Sequence, residues 1–210
     1  PLAPMPPTQE RPVVARRAYF IKGKCEQYSR NQPYGALIAA FEPLMRQLAS
    51  EGQERRAWWH VRLRNALGNG AAAITSLVPD LRLLIGEPGP LQPLPAGENE
   101  NRFHIAFAHF VRAIATGGRA LVLFLDDLQW ADVATLKLIE HLLDEGAECS
   151  ALIIGAWRDN EVGATHPLTA ALASIERKQH PVARLQLSNL SLAHVTELVA
   201  DTLRCTLDDA

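Results

Sequence analysis

Asp126 and Asp127 are adjacent carboxylates at the end of an unbroken apolar run, Leu121 to Leu125. Carboxylate oxygens are hard ligands that suit a small divalent cation, and a second acid beside the first can orient or polarise a water. The run, set off by Gly117 and Gly118, reads as a strand buried on both faces. Its C-terminal end is then the rim of a parallel sheet, where open α/β folds place their ligands. A strand that ends in a loop and caps a helix makes the same pattern. Asp132, ahead of Val133, Leu136, Ile139, His141, Leu142 and Leu143, reads as such a helix start.

A cation stands at a matching place. Ala151 to Trp157 reads as a second buried strand, and Arg158 follows it directly, with Asp159, Asn160 and Glu161 next. Strand, helix over 133–145, strand is one βαβ crossover, whose ligand face would carry Asp126, Asp127 and Arg158 together. A lone surface Arg-Asp pair is the plainer reading of Arg158, because charged side chains usually stay solvated.

An aspartate pair at a strand end is the layout of a Walker B segment in a P-loop nucleotidase, with one acid directed at Mg²⁺. The matching G-x-x-x-x-G-K-[ST] string is absent from the 210 residues. Gly86 to Gly89 opens like it, but Leu91 and Gln92 stand where Gly and Lys belong, and Pro88, Pro90 and Pro93 remove backbone donors. Gly23-Lys24 is followed by Cys25 and also fails.

The elements that must position these residues follow from periodicity. Residues 1–12 carry five prolines and read as a flexible arm. Ala18 to Ile21 is a short strand. Pro33 to Ser50 is a helix by its 3–4 spacing of Leu37, Ile38, Phe41, Leu44, Met45 and Leu48, with Pro43 predicting a kink or a second start. Glu54 to Leu67 predicts a helix with Trp58, Val61 and Leu67 near one face. A short helix follows from Ala71, ending near Pro79, and Gly86 to Gly97 is a proline-rich loop. Glu98 to Ala115 carries an apolar face of Phe103, Ile105, Ala106, Phe107, Phe110, Val111 and Ile114. Pro167 to Lys178 is a helix, and Val182 to Leu187 alternates as a further strand. Ser191 is the expected N-cap of a last helix.

Bulk properties exclude several classes. The content is 48% hydrophobic and 21% charged, ordinary for a soluble domain, and a net charge of -2 makes no electrostatic case for nucleic acid or an anionic membrane. No apolar run approaches membrane-spanning length. Cys25, Cys149 and Cys205 are too few and too scattered for a disulfide framework or a zinc site, which fits a reducing cytoplasm. The seven histidines lack ligand spacing, which leaves a metal-dependent hydrolase built on the aspartate pair alone poorly supplied. The first residue is Pro1, which makes the sequence a processed, trimmed or partial reading of a longer chain.

Several segments in order resemble one family. Tyr19 to Lys24 with Gln27 and Tyr28, Asn31 to Tyr34, Asn101 to Phe103, Leu123 to Asp132, Gly155 to Glu161 and Thr165 to Leu168 are similar to the AAA-type, Orc1-like ATPase domain of the STAND signal-transduction nucleotidases. Such modules occur in bacterial hybrid proteins that join a serine/threonine kinase, a GAF domain and a sensor histidine kinase, and ahead of LuxR-type regulators and adenylate cyclase domains. The resemblance covers roughly residues 12–205. It implies an α/β fold: a three-layer α/β/α, P-loop NTPase-like parallel sheet, incomplete at the N-terminus, with a core over 13–190 and the start of a helical lid over 191–210. It implies ATP and Mg²⁺ as cofactors of the intact parent, Asp126 as the metal-directing acid, Asp127 as the catalytic acid that orients water, and Arg158 as the nucleotide-sensing cation. Gln129, Trp130 and Asp132 match the family string without a derivable role, and Trp130 reads as a packing anchor. Flanking kinase, GAF or histidine kinase domains are the implied partners, in the cytoplasm.

Relatives carry the P-loop just before the segment matching Val13, where this chain has Pro1 to Thr8. The P-loop lysine and amides supply charge-assisted hydrogen bonds of roughly 1.5–3 kcal/mol each, so their loss costs orders of magnitude in nucleotide affinity. The expectation is a partial ATP-dependent regulatory switch that is inactive alone, or else a degenerate, non-enzymatic scaffold of the same fold.

Overall fold

The computed structural model describes residues 18–27, 33–90, 96–115, 119–145 and 149–203. The proline-rich arm at 1–12, Gly117-Gly118, Tyr28, Asn31, Cys205 and the end of the expected lid lie outside the described residues. The chain divides into two units, Pro1–His180 and Pro181–Ala210.

The first unit is α/β. Three parallel strands, β1 (Ala18–Lys24), β2 (Ala120–Asp126) and β3 (Ala151–Gly155), form one sheet in the order β1-β2-β3. Register pairs Lys24 with Asp126 and Leu125 with Gly155, so the strands end together at one rim. Between β1 and β2 run α1 (Gly35–Ala49), α2 (Gln53–Leu67), α3 (Ala71–Leu77), the single turn α4 (Arg82–Ile85) and α5 (Ala96–Ala115). Helix α6 (Val133–Glu145) makes the crossover from β2 to β3, and α7 (Pro167–Arg177) follows β3.

The sheet is less enclosed than a doubly buried run predicts. Tyr19, Ile21, Leu121, Leu123 and Leu125 are buried with the helices in one core. On the opposite face Phe20, Leu152 and Ile154 are 64%, 55% and 39% exposed. Leu121 to Leu125 therefore alternates between buried and half-buried positions, and β3, an edge strand, ends at Gly155 and is not buried. An apolar run records only that both faces tolerate hydrocarbon, not that both are covered.

Helix α1 runs unbroken through Pro43 and buries Leu37, Phe41, Leu44, Met45 and Leu48, so there is no second start. Phe41 packs on Phe107 and Phe110 of α5, with ring centroids 5.5 and 5.2 Å apart. Helix α2 turns a different face inward than the one expected. Arg55, Trp59, Leu63 and Leu67, an i, i+4 row, are buried, while Val61 is 47% exposed. Arg55 tolerates burial because its Nε donates to Glu51 Oε2 at 2.8 Å, and Trp59 Nε1 donates to the same oxygen at 3.2 Å.

Helices α6 and α7 are clasped at their C-terminal ends. Lys178 Nζ donates to Asp144 Oδ2 at 2.6 Å, and His180 Nε2 lies 2.8 Å from Asp144 Oδ1. Burial works to raise the Asp144 carboxyl, but Lys178 and His180 outweigh it and hold it below its usual range. A carboxyl lowered by folding contributes stability above its unfolded value and loses it as pH falls through the folded one. Asp144→Asn is therefore expected to destabilise the chain at neutral pH and to converge with the wild type in acid. Urea unfolding across pH 3 to 7 checks this, and a constant difference across that range would refute it.

In the second unit, α8 (Leu192–Leu203) begins as expected, with the His194 N–H donating to Ser191 Oγ at 3.3 Å. The strand expected over Val182 to Leu187 does not form. Residues 181–190 have no regular structure, and Leu185 and Leu187 are 90% and 91% exposed. Alternation alone does not make a strand without a neighbour to hydrogen-bond.

Candidate functional site

At the end of β2 the backbone turns sharply. Asp127 adopts a left-handed conformation, φ 53° and ψ 43°, and a 3₁₀ turn over Leu128–Trp130 follows. Such a conformation costs roughly 1–2 kcal/mol for a residue with a side chain, and Asp is among the few that adopt it routinely. Main-chain bonds fix the turn to β3: Ala156 N–H donates to Leu125 O and Leu128 N–H to Ala156 O, both at 2.9 Å. The turn separates the two acids. Asp126 stays in strand register, while Asp127 departs from it.

Asp127 is 7% exposed and fully engaged. Lys24 Nζ lies 3.0 Å from its Oδ2. Gln129 Nε2 donates to its Oδ1 at 2.9 Å, and Arg158 Nε is 3.7 Å from the same oxygen. The hydrogen bonds from Lys24 and then Gln129 hold the Asp127 carboxyl below its usual range, against the effect of burial. The same contact raises the Lys24 ammonium.

Asp126 is engaged more lightly. Its Oδ1 accepts the Asp127 N–H at 3.0 Å. Its other oxygen takes no hydrogen bond among the described residues, which leaves one hard ligand at the rim. Mg²⁺ keeps most of its water and takes one or two carboxylates plus phosphate oxygens, so this donor set fits it. Among the described residues no group of three His, Cys, Asp or Glu side chains is arranged to hold a metal by itself.

Arg158 follows β3 as the spacing predicts. Its guanidinium reaches Asp127, donates to Glu161 Oε1 at 3.0 Å, and lies 5.6 Å from the Trp130 ring centre. Trp130 is thus packed against the core and also forms an aromatic face beneath the cation. Asp132 caps α6: its Oδ1 accepts the Thr135 N–H at 2.8 Å, and its Oδ2 accepts the Tyr34 N–H at 3.2 Å. Tyr34 is itself left-handed, φ 65°, just ahead of α1, so Asp132 ties the starts of α1 and α6 together.

The structure therefore brings Asp126, Asp127 and Arg158 to one rim. It adds three residues that the sequence reading did not assign to a site: Lys24, Gln129 and His166. His166 Nδ1 accepts the Leu168 N–H at 3.1 Å, so Nε2 carries the proton and donates to Gln129 O at 3.0 Å. Beside Lys24 a cleft of about 240 Å³ is lined by Cys25, Gly35, Glu42, Trp130 and Asp132. Burial first, then the charges of Asp132, Asp127 and Asp126, push the Cys25 thiol up to about 11, which closes it as a nucleophile at neutral pH.

Residues 9–154 match the sequence model of a family described as the AAA ATPase domain. The matched span includes Lys24, Asp126, Asp127 and Gln129 and ends short of Arg158. Hybrid signal transduction histidine kinase G of Dictyostelium discoideum is 38% identical over 125 residues, which is 60% of this chain and 4% of that protein. The chain thus spans a small part of that relative. No solved structure matches it.

Proposed function

This chain belongs to the AAA ATPase domain family, and from that premise we propose that it forms part of an ATP-binding regulatory switch of the STAND type within a larger signalling protein. The observation that carries the reading is the divided aspartate pair: Asp126 with one oxygen unbonded among the described residues, and Asp127 turned out of the strand against Arg158. Asp126 would hold Mg²⁺, Asp127 would orient water, and Arg158 would face the nucleotide phosphates. Mg²⁺ when bound neutralises phosphate charge and polarises the phosphoryl group. The chain's own residues do the rest. Trp130 and Glu161 hold the Arg158 guanidinium at the rim, and Gln129 keeps the Asp127 carboxylate turned toward it. Lys24, Gln129 and Arg158 all meet the Asp127 carboxylate and hold that acid ionised. The likeness to a hybrid signal transduction histidine kinase supports a kinase domain as a neighbour in the same polypeptide.

A second reading has one observation in its favour: the 210 residues contain no G-x-x-x-x-G-K-[ST] string. On that reading the fold is a scaffold without nucleotide chemistry. Calorimetric titration of Mg²⁺-ATP into this chain and into a longer form carrying whatever coding sequence lies ahead of Pro1 separates the two. Binding by the longer protein alone, lost on chelating Mg²⁺, supports the switch. Absence of binding by both makes the scaffold the better account.

A further inference from the structure

Gln129 is 1% exposed, at the rim of a sheet, between two charged residues. A buried amide is costly unless both of its ends are bonded. Here they are, to functional partners from different strands. Nε2 donates to Asp127 Oδ1 at 2.9 Å, and Oε1 accepts the Arg158 main-chain N–H at 3.3 Å. The amide has one productive orientation, since a carboxylate offers no proton and a main-chain N–H accepts none. His166, fixed by its bond to the start of α7, holds the Gln129 main-chain carbonyl from outside.

We propose that Gln129 is the positioning residue of this site, a buried strut that fixes the Asp127 carboxylate against the base of Arg158 so that acid and cation move as a unit. The inference rests on the reading of Asp127 and Arg158 as the working pair. Packing alone does not call for a glutamine here, because a methionine or leucine fills similar volume without an amide to satisfy. An apolar side chain, however, leaves a carboxylate oxygen and the Arg158 amide unpaired. It also releases Asp127 from a neutral donor that competes with Lys24 and Arg158 for its oxygens. Gln129 touches no reacting atom in this scheme and acts through Asp127.

The test is NMR of the 210-residue chain, reading amide hydrogen exchange and the Arg158 side-chain N–H resonance in the wild type, Gln129→Met and Gln129→Glu. Gln129→Met removes the acceptor of the Arg158 main-chain N–H, and exchange there is expected to quicken about tenfold or more. Gln129→Glu keeps that acceptor but loses the donor to Asp127, so it keeps the slow exchange while the Arg158 Nε–H resonance moves as the Asp127 carboxylate leaves its place. The Leu128 and Ala156 amides, bonded main chain to main chain, keep their wild-type exchange in both variants. In a form of the protein that hydrolyses ATP, both variants lower kcat about tenfold with KM unchanged. Arg158 exchange and side-chain resonances identical in all three folded proteins overturn the proposal, even if the variants melt earlier. Should Gln129→Met fail to fold, an unmoved Arg158 Nε–H resonance in Gln129→Glu overturns it alone. Failure of every protein to bind ATP would defeat the nucleotide reading and leave the exchange result standing.

Discussion

Asp126→Asn is expected to lower Mg²⁺-ATP affinity of the natural protein on the order of 100-fold and to leave its affinity for metal-free ATP nearly unchanged. A divalent cation at a phosphoryl group is worth several kcal/mol of charge stabilisation, and ~1.4 kcal/mol is tenfold. Asparagine isolates that charge. Its side-chain oxygen still accepts the Asp127 N–H, so the turn after β2 keeps its bond, while the second oxygen becomes an amide nitrogen that repels a cation. Asp127→Asn provides the contrast. Asparagine also adopts the left-handed conformation at little cost, so the turn survives. The variant loses the charge that pairs with Lys24 and Arg158 but not the metal ligand. It should bind Mg²⁺-ATP and turn it over far more slowly. Equal Mg²⁺ dependence in wild type and Asp126→Asn, measured by calorimetry with and without chelator, would remove Asp126 from the metal's coordination.

The two aspartates and Arg158 are legible because each follows directly on an apolar run, and a parallel sheet aligns its C-terminal strand ends. Asp132 is legible as a helix cap for a similar local reason. Lys24 is not, because its contact with Asp127 depends on pairing between strands about a hundred residues apart in sequence. Its neighbours Gly23 and Cys25 invite comparison with a P-loop, and that comparison says nothing of register. Gln129 and His166 escape for another reason: their partners are main-chain atoms as much as side chains, and main-chain geometry leaves no residue pattern. The apolar runs mark β2 and β3 as strands but overstate their burial. The inward face of α2 is hidden from pattern because Arg55, a charged residue, belongs to it. Charge normally marks the solvated side, and only the nearby Glu51 carboxylate permits this exception.

Gly23→Ala is expected to destabilise the first unit by about 3 kcal/mol or more, a large share of a typical domain's stability. Gly23 lies on the face of β1 that meets α1. A Cβ there would stand 1.9 Å from the Ala36 carbonyl oxygen and 2.7 Å from its carbon. Both are backbone atoms in the first turn of a helix, so no rotamer change relieves the clash. Helix α1 must retreat, and with it Leu37, Phe41 and Met45, each 0% exposed, lose contacts in the core. Gly155→Ala is the control. Its Cβ would come 2.4 Å from Leu128 Cδ1, the far end of a side chain that can rotate, so its cost should be about 1 kcal/mol. The function follows the packing. Tyr34, just ahead of α1, is tied to Asp132, and Lys24 is the residue after Gly23, so a displaced α1 disturbs both edges of the cleft and loosens Lys24 from Asp127. Urea midpoints for the two variants measure the difference. A Gly23→Ala midpoint equal to that of Gly155→Ala would show that β1 and α1 do not approach as closely as the backbone contact requires.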